Sequence, residues 1–324
     1  MRAPRFWQEE GSALARILSP AGRITGLLTA RRLRRAGWRA PVPVICCGNV
    51  SVGGTGKTTL ALDLLARLRA RGLDAHALIR GYKGAGRGVL RVDPRLHDAR
   101  LVGDEALLLA GVAPTWTGAD RAASARAAVA AGAACLVMDD GMQNPGLAQD
   151  AALLVVDGEA GFGNGLLLPA GPLRESVASG AARARAAILI GADRRDAAAL
   201  LPPALPVLHA MLAADEAASR LAGERLVAFA GIGRPEKFFA SLDRLGATPR
   251  QRVGFPDHHP YTPRDLRRLA RLAAGQGARL VTTPKDAVRL PRGVPADILV
   301  AGVRLHWQDE RQIEAILDEV TSPP

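Results

Sequence analysis

From Pro41 onward, short apolar runs alternate with longer stretches whose apolar positions recur every three or four residues. The runs at 42–47, 75–79, 134–138, 152–156 and 187–190 read as buried strands, and residues 57–71, 104–110 and 119–131 as helices between them. Such alternation predicts a parallel sheet with helices on both faces. A proline-rich stretch at 201–206 looks like the start of a linker. A second set follows, with strands near 226–230, 280–283 and 298–300 and helices near 236–244, 263–274 and 309–319. No repeat period relates the two halves. The pattern therefore predicts two α/β domains, 41–205 and a smaller one at 206–324.

Residues 1–40 follow a different rule. They carry nine arginines, at positions 2, 5, 16, 23, 31, 32, 34, 35 and 39, against only Glu9 and Glu10. At about 100° per residue, Phe6, Trp7, Leu14, Ile17, Leu18, Ala21, Ile24 and Leu28 gather on one side of a helix, with Arg16, Arg23 and Arg34 opposite. Ser19 and Pro20 read as an N-cap and first-turn proline, which predicts two short helices or one kinked one. Two readings stay open for this basic amphipathic segment: a helix packed on the protein's own core, or one lying in the plane of a membrane surface.

Composition narrows the class. The 324 residues carry a formal net charge of +12, almost all from arginine, since only Lys57, Lys83, Lys237 and Lys285 are lysines. That excess suits an anionic partner such as nucleic acid, acidic lipid or a phosphorylated substrate. Aromatic residues make up only 4%, which argues against the stacking platforms of single-strand binders, and the basic residues crowd the amino end rather than lining a groove. Cys46, Cys47 and Cys135 sit in apolar runs with spacing that fits neither a disulfide framework nor an ordinary zinc site, so a reducing compartment is expected. No run approaches the ~18 apolar residues of a membrane span, and the first 40 residues lack a secretory h-region.

The strongest local signal is the strand ending in Cys46-Cys47-Gly48, the loop Asn49-Val50-Ser51-Val52-Gly53-Gly54-Thr55-Gly56, and Lys57-Thr58 opening a helix. This is a phosphate-binding loop in its required context: glycines let successive N–H groups face a phosphate chain, Lys57 reaches the β- and γ-phosphates, and Thr58 offers a hydroxyl to Mg2+. Ser51 stands where the strict pattern has glycine. The expected fold class is accordingly a P-loop NTPase-type parallel sheet with helices on both faces, a second α/β domain and an amino-terminal helical segment. The carboxylate for Mg2+ should end a neighbouring buried strand, where Asp139 stands; Asp140, pointing elsewhere, has a separate task. Gly231-Ile-Gly233 lacks the third glycine of a dinucleotide fingerprint, and Thr283-Pro-Lys285-Asp286 resembles the guanine motif only loosely, so ATP is the expected nucleotide. A switch or metal-delivery nucleotidase would need a guanine motif or a C-x-C cluster, and neither is present.

Further blocks carry a specific resemblance. They are D-D-G-M-Q at 139–143, G-F-G-N-G-L-L-L-P-A-G-P-L-R-E at 161–175, F-A-G-I-G-R-P-E-K-F-F at 229–239, F-P-D-H-H-P-Y at 255–261 and L-V-T-T-P-K-D at 280–286. With the P-loop they make the chain similar, over roughly residues 10–305, to the tetraacyldisaccharide 4'-kinases. The resemblance implies ATP- and Mg2+-dependent transfer of a γ-phosphate to the 4'-hydroxyl of a tetraacylated glucosamine disaccharide 1-phosphate. It places the enzyme peripherally at the cytoplasmic face of a bacterial inner membrane, and it implies neither a nucleic acid nor a stable protein partner. It also implies that Asp104 and His258 act together across the domain cleft.

On the residues alone, the acceptor's base is open between Asp140, Asp104 and His258, with His259 an alternative. Arg174 is either a phosphate clamp or an ion-pair partner of Glu175. Gln143, Asn144 and Arg121 are substrate-side candidates, and Phe162 with its flanking glycines reads as a mobile loop over the site. Thr59 and Asn144 depart from the family pattern, which has proline and histidine there; Asn144 gives up the proton-sharing that an imidazole could offer.

Overall fold

A computed structural model describes residues 4–9, 11–81, 88–293 and 297–322; Arg2, Glu10 and Lys83 lie outside them. Helix α1 (Ala13–Leu33) precedes a run of alternating elements: β1 (Val44–Gly48), α2 (Lys57–Ala70), β2 (Ala75–Ile79), β3 (Leu90–Arg91), α3 (Ala99–Val102), α4 (Asp104–Ala110) and β4 (Thr115–Thr117). Next come α5 (Arg121–Ala130), β5 (Cys135–Asp139), β6 (Ala151–Asp157), α6 (Val177–Ala181), β7 (Ala186–Ile190) and β8 (Val207–Ala214). The remainder comprises α7 (Glu216–Ser219), β9 (Leu226–Ala230), α8 (Pro235–Arg244), β10 (Gln251–Gly254), α9 (Pro263–Gly275), β11 (Arg279–Thr282), α10 (Pro284–Ala287), β12 (Ile298–Val300), β13 (Val303–Trp307) and α11 (Glu310–Thr321).

Two sheets result. The larger has the order β13-β8-β7-β6-β1-β5-β2-β4-β3, parallel throughout except at its edges, where β13 and β3 run antiparallel to their neighbours. Its inner strands are apolar and buried on both faces, as a helix-covered parallel sheet requires. One face packs against Leu60, Leu64, Leu65 and Leu68 of α2, the other against Ala125 and Ala128 of α5. The smaller sheet, β10-β9-β11-β12, is parallel throughout, with α8 on one face and α9 on the other.

The division of the chain differs from the expected 205/206 boundary. Residues 201–206 lead straight into β8, which pairs with β7 of the large sheet, and β13 returns from the second domain to pair with β8. Helix α11 then lies against α2, where Glu314 takes both Arg67 and Arg71, and Trp307 donates its indole N–H to Asp63 at 3.0 Å. Proline there marks the entry to β8, a half-buried strand one place in from the sheet edge, rather than a linker.

Of the two forms expected, a single helix is present: α1 runs 21 residues with Pro20 inside it, and Ser19 is not a cap. Its buried residues are small, Ala15 and Gly22. A side chain at Gly22 would come within 2.9 Å of the Leu167 carbonyl oxygen, so the backbone of the helix sits directly on the 161–175 segment. Thr25 and Trp7 fasten it there, through Leu168 O at 2.5 Å and Pro169 O at 3.1 Å. The large apolar residues point outward: Ile17 is 74% exposed, Ile24 60%, Leu27 71% and Leu28 62%. Core packing therefore does not account for the apolar stripe.

Candidate active site

The P-loop sits where β1 gives way to α2. Gly56 caps the helix with φ 92°, a conformation that disfavours any side chain. At Gly53 and Gly54 an added Cβ would meet nothing within 4 Å, so the loop's concave side is open for a ligand. Its outer edge is zipped to the 161–175 run: Ser51 bridges Leu173, Val52 N donates to Pro172 O at 2.8 Å, and Arg174 N donates to Val50 O at 2.7 Å. From inside, the fully buried Asn49 spans the loop, its Nδ2 reaching Ser51 Oγ at 3.4 Å and Thr55 Oγ1 at 3.1 Å. Asn49 escaped the sequence reading. Its signal was a lone amide directly after five apolar strand residues.

Carboxylates close the opposite wall. Thr58 Oγ1 donates to Asp139 Oδ2 at 2.9 Å, while Asp139 Oδ1 is buried with no partner among the described residues. Burial pushes the Asp139 carboxyl up to about 6, against the opposing pull of the Thr58 hydroxyl and Lys57. Asp140 turns the other way, through a left-handed backbone at φ 55°. Its Oδ1 accepts from Arg174 Nη1 at 2.8 Å and lies 3.7 Å from Lys57 Nζ. Burial raises the Asp140 pKa, but Lys57 and Arg174 outweigh it and hold the carboxyl below its usual range. Burial also lowers the Lys57 ammonium despite Asp140 beside it. Asp140 is thus the counterion of two cations that face the loop.

Arg174 does not pair with Glu175, the ion-pair partner considered from sequence: it meets Asp140 at 2.8 Å, and Glu175 pairs with Arg183 at 2.7 Å. Gln143 is committed to the protein, donating to Asn49 O at 2.7 Å and Glu175 Oε1 at 2.8 Å and accepting from Arg174 at 3.2 Å. Asn144 Oδ1 accepts the Gly146 N–H at 2.9 Å and shapes a turn. Arg121 is 2% exposed and donates to Gly118 O; burial and Arg80 push it down to about 10 while Asp140 and Asp139 oppose the shift. These three brace the site from within, unlike the expected substrate-side placement. The expected mobile loop is also absent at Phe162, which is 4% exposed in the core. Glycines there serve close packing: a Cβ at Gly171 would strike Asn164 Oδ1 at 2.2 Å.

The second domain supplies the remaining wall. Asp104 opens α4 after Gly103 and is 5% exposed. Its Oδ2 lies 2.8 Å from His258 Nδ1, joining the two domains. His258 is held in a left-handed conformation at φ 59°, with its N–H on Gly231 O at 2.9 Å. His259 faces elsewhere: its Nε2 lies 3.2 Å from Asp265 Oδ2 and its ring stacks on Phe255 at 4.6 Å. Beside Asp104, Glu105 receives Lys285 at 2.8 Å, and burial of Glu105 is outweighed by that lysine, so its carboxyl sits low. Lys285 and Arg289, both from the second domain, were missed as site residues, Lys285 because it sits in a stretch that loosely resembles a base-recognition motif and Arg289 because it follows that stretch without a motif.

Comparison with known proteins identifies the family. A family model described as tetraacyldisaccharide-1-P 4'-kinase matches residues 14–322. The tetraacyldisaccharide 4'-kinase of Gluconacetobacter diazotrophicus is 63% identical over 319 residues, covering 98% of each chain. That of Gluconobacter oxydans is 53% identical, covering 98% of this chain and 97% of its own. In fold, the chain is similar to a crystal structure of LpxK from Aquifex aeolicus in complex with ATP, with a TM-score of 0.79, 24% identity, and coverage of 95% of this chain and all of that one. By full-length sequence match and by fold, the chain belongs to the tetraacyldisaccharide-1-P 4'-kinase family.

Proposed function

We propose that the protein transfers the γ-phosphate of ATP to the 4'-hydroxyl of a tetraacylated glucosamine disaccharide 1-phosphate, giving the 1,4'-bisphosphate lipid. The observation that carries this reading is a P-loop with Lys57 and Arg174 beside it, together with an Asp104–His258 pair that joins the large-sheet domain to the second domain. Phosphoryl transfer asks for placement and charge rather than covalent chemistry. The loop amides cradle the phosphates, and Lys57 and Arg174 exchange Asp140 for the γ-phosphate's charge. Thr58 and Asp139 are the residues that would hold Mg2+: a hydroxyl beside a buried carboxylate oxygen without a partner is an oxygen donor set suited to a hard cation. Bound there, the ion would neutralise phosphate charge.

The acceptor hydroxyl loses its proton as its oxygen bonds to the γ-phosphorus and the bond to the ADP oxygen breaks. A carboxylate can only accept, so Asp104 makes Nδ1 of His258 the donor and leaves Nε2 with its lone pair for that proton. Asp140, occupied by two cations, serves as counterion. Helix α1 serves the lipid side. Its exposed apolar stripe lies against acyl chains, while Arg31, Arg32, Arg34 and Arg35, which with Leu28 line an open hollow of ≈ 520 Å³, meet anionic phosphates. This makes the enzyme peripheral at the cytoplasmic face of the inner membrane; no described helix is long and apolar enough to cross one.

Three experiments test this reading. With labelled ATP, Mg2+ and the disaccharide 1-phosphate lipid in detergent, a bisphosphorylated lipid should form, and Lys57→Ala should lower turnover by roughly 10²- to 10³-fold in a folded protein; near-normal turnover would remove the P-loop from the mechanism. Ile24→Glu with Leu27→Glu should reduce sedimentation with anionic vesicles and raise KM for lipid more than KM for ATP; unchanged sedimentation would refute the membrane role of α1. The third concerns Asp139. Because its carboxyl is raised in the fold, the stability it contributes is present at low pH and lost as pH rises through about 6. Asp139→Asn should therefore stabilise the metal-free protein at pH 8 by on the order of 1–3 kcal/mol, and less at pH 5. In thermal melts, Mg2+ should stabilise the wild type and not this variant.

A further inference from the structure

Residues 283–289 of the second domain present two cations to the step where α4 begins. Lys285 takes Glu105 at 2.8 Å, and Arg289 Nε lies 3.0 Å from Asp104 Oδ2. That oxygen is also the one His258 Nδ1 meets. We propose that Arg289 is a positioning residue for the transfer: its guanidinium fixes the Asp104 carboxylate so that Asp104 presents His258 to the acceptor hydroxyl. The proposal rests on the functional reading above.

Arg289 and His258 are built as one unit. Arg289 Nη1 donates to Gly231 O at 2.8 Å and to Asp286 Oδ1 at 3.2 Å, and the His258 N–H donates to the same Gly231 oxygen at 2.9 Å. Asp286, fully buried, locks that carbonyl's own residue and the helix behind it. Its Oδ1 accepts from Gly231 N at 2.8 Å and Tyr261 Oη at 2.7 Å, and its Oδ2 from Thr283 Oγ1 at 2.6 Å. The His258 backbone and the Arg289 guanidinium therefore hang from one carbonyl, and the imidazole and guanidinium converge on one carboxylate oxygen.

Charge explains why the arginine is there. A carboxylate as buried as Asp104 needs a countercharge as well as a hydrogen bond. A neutral imidazole supplies only the hydrogen bond. The Arg289 side chain, 4% exposed, supplies the charge, and its planar fork restricts how Asp104 can turn. Nη1 is held by Gly231 O and Asp286 Oδ1, which leaves Nε facing Asp104 Oδ2 at 3.0 Å as an ion pair rather than an aligned hydrogen bond.

Steady-state kinetics on the full chain, with the lipid acceptor and Mg2+-ATP, test the assignment using Arg289→Met and Arg289→Lys. Arg289→Met should lower kcat by roughly 30- to 100-fold, with KM for ATP changing less than about threefold. Arg289→Lys, which keeps the charge, should recover at least about tenfold of that loss, and guanidinium ion at low concentration should partly restore an Arg289→Ala enzyme. A folded Arg289→Met enzyme with kcat within about threefold of wild type would overturn the proposal. So would parallel losses in kcat, ATP affinity and melting temperature in Met and Lys variants alike, which is the pattern of a structural arginine. A wild-type chain that phosphorylates no lipid acceptor would overturn the functional reading itself, a different result from any failure of the variants.

Discussion

The site depends on one buried carboxylate. Asp104 belongs to the large-sheet domain, yet its Oδ2 is contacted by His258 and Arg289 of the second domain. A charge buried to this degree is tolerated only while its partners stay in place. The relative position of the two domains at the cleft is therefore tied to the same contact that orients the histidine. Lys285–Glu105 and Lys237–Glu159 are further ion pairs between the two domains.

Charge compensation also organises the phosphate side. Lys57 and Arg174 converge on Asp140, and the Arg174 backbone is fastened to the P-loop through Val50. The 161–175 run thus has two duties: its middle seats α1 and its end completes the nucleotide loop. Helix α1 and the Arg174 guanidinium beside Lys57 rest on one continuous, closely packed segment, which accounts for its density of glycine and proline.

Much of this was legible in sequence, and the exceptions have physical causes. Buried strands such as β1 and β5 announced themselves because a helix-covered parallel sheet needs uninterrupted apolar runs. The P-loop, Thr58–Asp139 and the opposed direction of Asp140 followed from local chemistry. The Asp104–His258 pairing came from family resemblance, since residues 154 positions apart carry no local signal. The edge ribbon of β8 and β13 went unread because half-buried edge strands lack the apolar continuity of central ones. Gln143 and Arg121 looked like substrate groups because polar residues beside a P-loop invite that reading; only the structure reveals that the Gln143 amide donates to Asn49 and Glu175 and that Arg121 is buried against the Gly118 carbonyl. Arg289 was missed because it lies beyond the motif-like Thr283–Asp286 stretch and carries no local signal of its own.

The central claim is that two residues from different domains act as a single proton-accepting unit. Its most direct test is a double-mutant cycle in kcat for lipid phosphorylation, comparing Asp104→Asn, His258→Ala and both together. The account predicts that each single change lowers kcat by roughly 10²- to 10⁴-fold and that the double change costs about as much as the worse single one. Losses that multiply in the double variant would contradict it, and would make Asp104 and His258 independent contributors.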